Sequence, residues 1–303
     1  MQVFGHCRFS WFGISDTGRE LTSVDDAAAR LWHPLRMAIR FHLFEGLMLP
    51  SLAVQTDSDF RLLVTCSPEM PQTFQTRLDA LAVRYPFIQL NRTYRRYYHL
   101  AARRFMRDST DNKTRPAVHF RLDDDDAVPF DYIARLRRDA TRVDVGGIIC
   151  YPRGIVGFLD GAHAKHGYRT IPYHAQGIAR VAGPGMLESP IQMQHRAAGN
   201  NLPSFVDPTF IGFHFTKHGV NNTRGYGEIV HGAETTTARN MAAINPELAE
   251  GKAAPAQCDA DLAERFPFSD GPGIRRLLEE TLDPAALAVR YGFAARPDQT
   301  TAG

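Results

Sequence analysis

The sequence predicts an α/β fold, a three-layer sandwich with helices covering both faces of a mainly parallel central sheet. Three observations predict it. Short apolar runs bounded by turn residues, such as residues 60–66 between Ser58-Asp59 and Ser67-Pro68, look like strands buried on both faces. Amphipathic stretches alternate with them, as in residues 71–85, where Phe74, Leu78, Leu81 and Ala82 share one side. The chain has 303 residues, 44% hydrophobic and 22% charged, enough to bury a large core without disulfide staples.

In chain order, residues 3–12 read as a first strand running into a polar turn at residues 13–18. Asp25 and Asp26 cap a helical stretch over residues 27–39, and a second apolar segment continues to Pro50. The strand at 60–66 and the helix at 71–85 follow, then a short strand at 87–90. Residues 92–107 read as one helix, 117–122 as a fourth strand, 129–138 as the start of another helix, and 145–151 as a further strand. Beyond about Glu234 the texture changes. Ala, Glu, Pro and Gly crowd residues 242–257, and residues 273–282 carry an Ile274, Leu277, Leu278 and Leu282 stripe. The expected division is one domain over residues 1–240, followed by a helical extension and frayed tail over 241–303.

Composition narrows the function classes. Lys plus Arg total 35 and Asp plus Glu 33, so the net charge is only +2, which argues against a general nucleic-acid binder. Cys7, Cys66, Cys150 and Cys258 are scattered and form no C-x-x-C pair, as expected of reduced thiols in a cytoplasmic protein. No leader-like apolar run opens the chain and none is long enough to span a bilayer, which leaves only peripheral contact with a membrane.

The strongest chemical signal is Leu122-Asp123-Asp124-Asp125-Asp126-Ala127 at the end of the predicted fourth strand. Four adjacent carboxylates repel one another unless a cation sits among them. A hard divalent ion such as Mg²⁺ or Mn²⁺ takes oxygen ligands and commonly bridges carboxylates to substrate phosphates. On an extended chain Asp123 and Asp125 point one way, and Asp124 and Asp126 the other. The bland reading is an acidic cap on the following helix, but capping needs one aspartate and not four.

Two further stretches carry candidates. Residues 210–222 run as a strand into a polar loop holding His214, Lys217, His218 and Asn221. His214, between Phe213 and Phe215, reads as an ordinary strand histidine. Arg92, Arg95, Arg96, Arg103, Arg104 and Arg107 lie within sixteen residues, interleaved with Tyr94, Tyr97 and Tyr98. Arginine clamps phosphate bidentately, which makes Arg103 and Arg104 candidates for a phosphate contact, against the plainer reading of a solvated face.

An acidic pair at a strand end in an alternating α/β chain resembles the GT-A nucleotide-sugar glycosyltransferases, with their Rossmann-type sandwich. More narrowly, the Arg121–Ala127 string, Phe9-Ser10 in the first strand, Phe44-Glu45, Leu49-Pro50-Ser51-Leu52 and His218-Gly219-Val220-Asn221 resemble a rhamnosyltransferase family of bacteria. The likeness covers roughly residues 4–225. It implies a nucleoside-diphosphate sugar as donor and Mn²⁺ or Mg²⁺ as cofactor, the ion neutralising the diphosphate as a Lewis acid. Carried over by position, the metal ligands are Asp123, Asp125 and Asp126 with His218. Donor contacts fall to Phe9, Ser10, Arg103, Arg104, Asp123, Asp124, Lys217 and Asn221. The acceptor is a glycan or a lipid-linked sugar, and Asp207 is the candidate general base. Two alternatives stay open: a metal-dependent phosphohydrolase, and a non-catalytic sugar-nucleotide-binding relative.

Overall fold

Strand β1 (Gln2–Arg8) is apolar or buried along nearly its whole length, as a strand covered on both faces must be. Ser23 caps the short helix α1 (Val24–Asp26), which runs on as a π-helical turn, Ala27–Leu31. Helix α2 (Pro34–Leu43) starts separately, because Pro34 fixes the first turn and His33 Nδ1 accepts from the Leu35 amide. The expected single helix over 27–39 is thus two pieces. A second π-helical turn, Phe44–Met48, leads into α3 (Leu49–Ala53), then β2 (Arg61–Cys66), α4 (Gln72–Arg84) and β3 (Ile88–Arg92).

Residues 92–107 do not form one helix. Arg92 ends β3, and α5 (Tyr98–Ser109) begins only after an irregular stretch. Strand β4 (Ala117–Arg121), α6 (Tyr132–Asp139), β5 (Ile148–Cys150), β6 (Arg153–Asp160), β7 (His163–Thr170) and β8 (Ile178–Ala182) come next. They are followed by α7 (Ala198–Asn201), β9 (Ser204–Val206), β10 (Ile211–Lys217), α8 (Pro255–Arg265), α9 (Gly271–Glu280) and α10 (Pro284–Arg290). This computed structural model describes residues 1–14, 21–109, 114–193, 195, 198–218, 255–268 and 271–294. The expected boundary at 240, the segment 242–254 and the tail from 296 lie outside the described residues.

Among the described residues the strands make two sheets. The larger runs β3-β2-β1-β4-β8-β5-β9, with only β8 antiparallel to its neighbours. Chain order reverses between β1 and β4, which pair in parallel, and it is at such a switch point, beyond the carboxyl ends of the strands, that sheets of this kind commonly form a ligand crevice. The smaller sheet runs β10-β6-β7, and its His214 forms one isolated antiparallel bridge with Ala127, in the chain just beyond β4. Gly157 in β6 makes room there: a Cβ would sit 2.7 Å from Leu278 and 3.1 Å from both His166 and His214.

The largest buried cluster joins β1, β2 and β4 to α2 and α4 through Phe9, Phe41, Phe44, Phe74 and Phe120, among others. Each such ring removed from water contributes about 1.5–3 kcal/mol. The C-terminal helices share buried clusters with the rest. Leu278, Leu287 and Ala288 pack on Ala38, Ile39 and Leu43 of α2, and Phe266 and Ile274 pack on Ile155 and Tyr168. All four cysteines are free and buried.

Candidate active site

The four aspartates follow β4 directly, where the chain leaves the sheet at its carboxyl edge. They form a turn, closed by the Asp126 amide donating to the Asp123 carbonyl at 3.2 Å. The extended-chain pairing is therefore replaced by another: Asp124 goes with Asp125, and Asp123 with Asp126. Backbone pairing holds both ends. The Leu122 amide donates to the His6 carbonyl, while Ala127 and His214 exchange hydrogen bonds of 2.9 and 2.8 Å.

Arg40, on the buried side of α2, neutralises the first pair. Its Nε donates to Asp124 Oδ2 at 2.9 Å and its Nη1 to Asp125 Oδ2 at 2.8 Å, with a further Nη2 contact to Asp124. Gln176, just before β8, holds the second pair, its amide donating to Asp123 Oδ2 at 3.1 Å and to Asp126. Arg121 grips Asp123 with Nε and Nη2 at 3.1 and 2.9 Å. From β10, the Thr216 amide donates to Asp126 Oδ1 at 3.0 Å and His218 Nε2 to Asp125 Oδ2 at 3.0 Å.

These partners divide the carboxylates electrostatically. Burial pushes Asp125 upward, but the Arg40 guanidinium and the His218 hydrogen bond outweigh it and hold that carboxyl well below the usual range. Asp123 is likewise lifted by burial and brought below its ordinary value by Arg121 and Arg8. Asp126 has no cation of its own. Burial, then the Asp125 and Asp123 charges, raise it well above the normal carboxylate value. Burial lowers His218 against the opposing pull of Asp125. Asp123 is the most open of the four pairing partners, with its side chain 25% exposed.

The crevice wall comes from the chain after β1. Ser10 has φ +42°, an unusual conformation for a non-glycine residue, and it is pinned from both sides. Trp32 Nε1 donates to its carbonyl at 2.9 Å, and Arg36 Nη1 donates to its hydroxyl at 2.9 Å. Arg36 and Arg40 lie one turn apart on α2, so both face this edge.

The other expected residues fall in different places. The Phe9 ring is fully buried between Phe41 and Phe44, with centroids 4.7 and 4.9 Å away, so its role is packing. Arg103 and Arg104 lie on the exposed side of α5. Lys217 is half-buried at the end of β10. Asn221 lies outside the described residues. Asp207 follows β9, three strands across from β4, a separation of about 14 Å at normal strand spacing. Burial raises its carboxyl, but hydrogen bonds from Thr209 and the ion pair with Arg135 bring it below the ordinary value. It braces α6 against the end of β9 through that ion pair.

Arg36, Arg40 and Gln176 were not foreseen. Two arginines four residues apart within the apolar stretch of residues 34–49 were the available signal for the first two. Gln176 has no motif around it. His174, two residues earlier, stacks on Phe213 at 5.3 Å and feels the Asp123 charge. Burial, reinforced by His195, takes its imidazole down to about 3.

An acidic turn clamped at the switch point of a mainly parallel sheet stands where α/β proteins of this class commonly bind their ligands. The profile of the family described as Putative rhamnosyl transferase matches residues 2–227, and the chain belongs to that family. No curated protein sequence matches it. Among solved structures it is similar to S. aureus TarS 1–349, at 10% identity and TM-score 0.38, over 71% of this chain and 60% of that one. The same protein in complex with UDP-GlcNAc matches at 11% identity and TM-score 0.39, over 87% of this chain and 71% of that one. The chain thus spans about 60% of the first of these structures.

Proposed function

We propose that this chain is a glycosyltransferase that moves a sugar, rhamnose by the family's name, from a nucleoside diphosphate to a glycan or lipid-linked acceptor. One observation carries the reading: a family member places its four-aspartate turn, flanked by Arg36, Arg40 and Arg121, at the crevice between the β1 and β4 carboxyl ends. The TarS complexes with UDP and UDP-GlcNAc are in keeping with such a donor.

The chain's own residues have distinct tasks in this scheme. Asp123, the carboxylate with most access to solvent, accepts from ribose hydroxyls. Arg40 holds Asp124 and Asp125 in place, and the Arg36 guanidinium beside Ser10 supplies positive charge where a diphosphate gathers negative charge as its bond to the sugar breaks. Ser10, strained and held by Arg36, shapes the floor on which the nucleotide rests.

Asp125 Oδ2 and His218 Nε2 share a 3.0 Å hydrogen bond, and a divalent ion would take the place of that proton. Among the described residues no group of three His, Cys, Asp or Glu converges to hold a metal alone, so an ion would need the substrate's own oxygens as well. Asp125 and His218 would hold Mg²⁺ or Mn²⁺. The bound ion would neutralise the departing diphosphate.

Calorimetric titration with UDP-, GDP- and dTDP-sugars, with and without Mn²⁺, tests the reading. One nucleotide class should bind in the metal's presence and lose at least about tenfold in affinity in Asp125→Ala, the effect of losing about 1.4 kcal/mol. Binding unchanged by both that substitution and a chelator rejects the metal role. Absence of any nucleotide binding rejects the donor reading.

A further inference from the structure

The face of α5 and the segment before it form a surface that the proposed transfer site does not use. Of the ten large apolar side chains that stand exposed among the described residues, four gather here: Ile14 at 39%, Tyr94 at 73%, Tyr97 at 52% and Leu100 at 42%. Exposed arginines surround them at positions 92, 95, 103, 104 and 107. No acidic residue occurs anywhere from 92 to 107.

Helical geometry sorts this stretch cleanly. Tyr98, Ala101, Ala102 and Met106 turn inward against Trp11 and Leu63. Leu100, Arg103, Arg104 and Arg107 follow the i, i+3, i+4, i+7 spacing along the opposite side. The segment leading into the helix is also anchored. The Arg96 guanidinium lies 3.8 Å from the Phe12 ring centroid and donates to the Leu21 carbonyl, while its own carbonyl accepts from the Ile14 amide at 2.6 Å. The patch is therefore a preformed platform rather than a set of loose side chains.

We infer that this platform docks the protein on an anionic lipid surface, with the arginines among the headgroups and Tyr94, Tyr97, Leu100 and Ile14 at the headgroup–acyl boundary. Charge complementarity commits the choice: Arg92 is paired with Asp79, but the face is predominantly basic and meets its counter-charge in a bilayer carrying phosphatidylglycerol-type lipids. The apolar members decide against a polynucleotide. Tyrosines suit base stacking, but an exposed leucine and isoleucine gain only by leaving water for hydrocarbon. Tyrosine is also at home at the membrane–water boundary. Among the described residues no helix is long and apolar enough to cross a membrane, and a surface contact of this kind needs none.

The location adds a consequence. Strands β1 to β4 are mutually parallel, and the chain from β3 reaches α5 from the same sheet edge that bears the quartet. Docking through α5 would bring that edge to the bilayer.

Co-sedimentation of the full chain with vesicles tests the inference and makes no use of catalysis. Phosphatidylcholine vesicles containing phosphatidylglycerol should carry the protein down, pure phosphatidylcholine vesicles should not, and added salt should release it. Arg95→Gln and Arg103→Gln should each weaken binding about fivefold. Tyr97→Ser and Leu100→Ser should weaken it at constant charge, and Arg84→Gln on the exposed side of α4 should leave it unchanged. Equal binding to both vesicle types overturns the inference, as does full binding by the Arg95 and Arg103 variants. A loss in Arg84→Gln as large as theirs reduces the effect to net charge and overturns it too. Retention on single-stranded polynucleotide with no vesicle binding overturns it in favour of nucleic acid.

Discussion

Arg40 is nearly buried, and so are the two carboxylates it faces. Removing one partner from such a group leaves charge stranded in a poorly solvated place, and the cost is typically about 3–5 kcal/mol. Arg40→Met should therefore lower the denaturant midpoint by that equivalent. The companion Asp124→Asn, Asp125→Asn change on the same background should recover part of the loss, because it withdraws the stranded charges. A double-mutant cycle in urea reads both effects. The aspartates themselves were legible in the sequence, since four in a row need no tertiary knowledge. Their partners were not. Arg40, Gln176 and Thr216 come from segments distant in the chain, and only folding reveals which guanidinium or amide meets which carboxylate. The same limit explains Phe9, whose neighbours Phe41 and Phe44 claim its ring for the core.

At the scale of elements, local pattern located most strands and helices, and its errors have identifiable causes. Residues 92–107 look uniformly helical because arginine and tyrosine are common in both settings, yet Arg92 pairs with Cys66 in the sheet register. Strands β6 and β7 are not legible in the sequence because His, Lys, Arg and Gly break their apolar alternation, and β9 is only three residues long. Residues 210–222 do read as a strand, and the element they form positions the quartet from below. The small sheet is backed by Phe266, which meets the His214 ring of β10, and by Leu278 of α9, which meets β6 at Gly157, and β10 leads Thr216 and then His218 to the aspartates. Phe266→Ala should cost about 3–5 kcal/mol of stability by leaving a cavity under His214. It should also weaken nucleotide binding, although Phe266 has no recorded contact with the quartet. Parallel thermal melts with and without nucleotide distinguish that from simple destabilisation, which would leave the ligand-induced shift intact.

For the whole molecule, five buried imidazoles set a response to acid. Burial holds His119, His166 and His174 down at about 3, and lowers His6 and His214 well below 6.5. His6 and His119 share a 2.9 Å hydrogen bond beneath the sheet, and His166 stands 5.2 Å from His214 in the smaller one. As pH falls below about 6.5, the unfolded chain takes up protons that the folded chain refuses. Stability must then fall with pH, by up to about 1.4 kcal/mol per unit for each such histidine, down toward about pH 3. Urea midpoints recorded between about pH 7 and 5 should decline steeply, and a flat profile would mean these rings are open to protons in the native state.

The single bridge between Ala127 and His214 ties these scales together. There β10 of the smaller sheet exchanges backbone hydrogen bonds with the chain immediately downstream of the aspartates. The rear helices press on the small sheet, the small sheet grips the acidic turn, and the turn has little slack to absorb a shift. Sequence drift in residues 255–268 and 271–294 should therefore shift the acidic turn from a distance, and trimming that end should disturb the turn before it unfolds the rest.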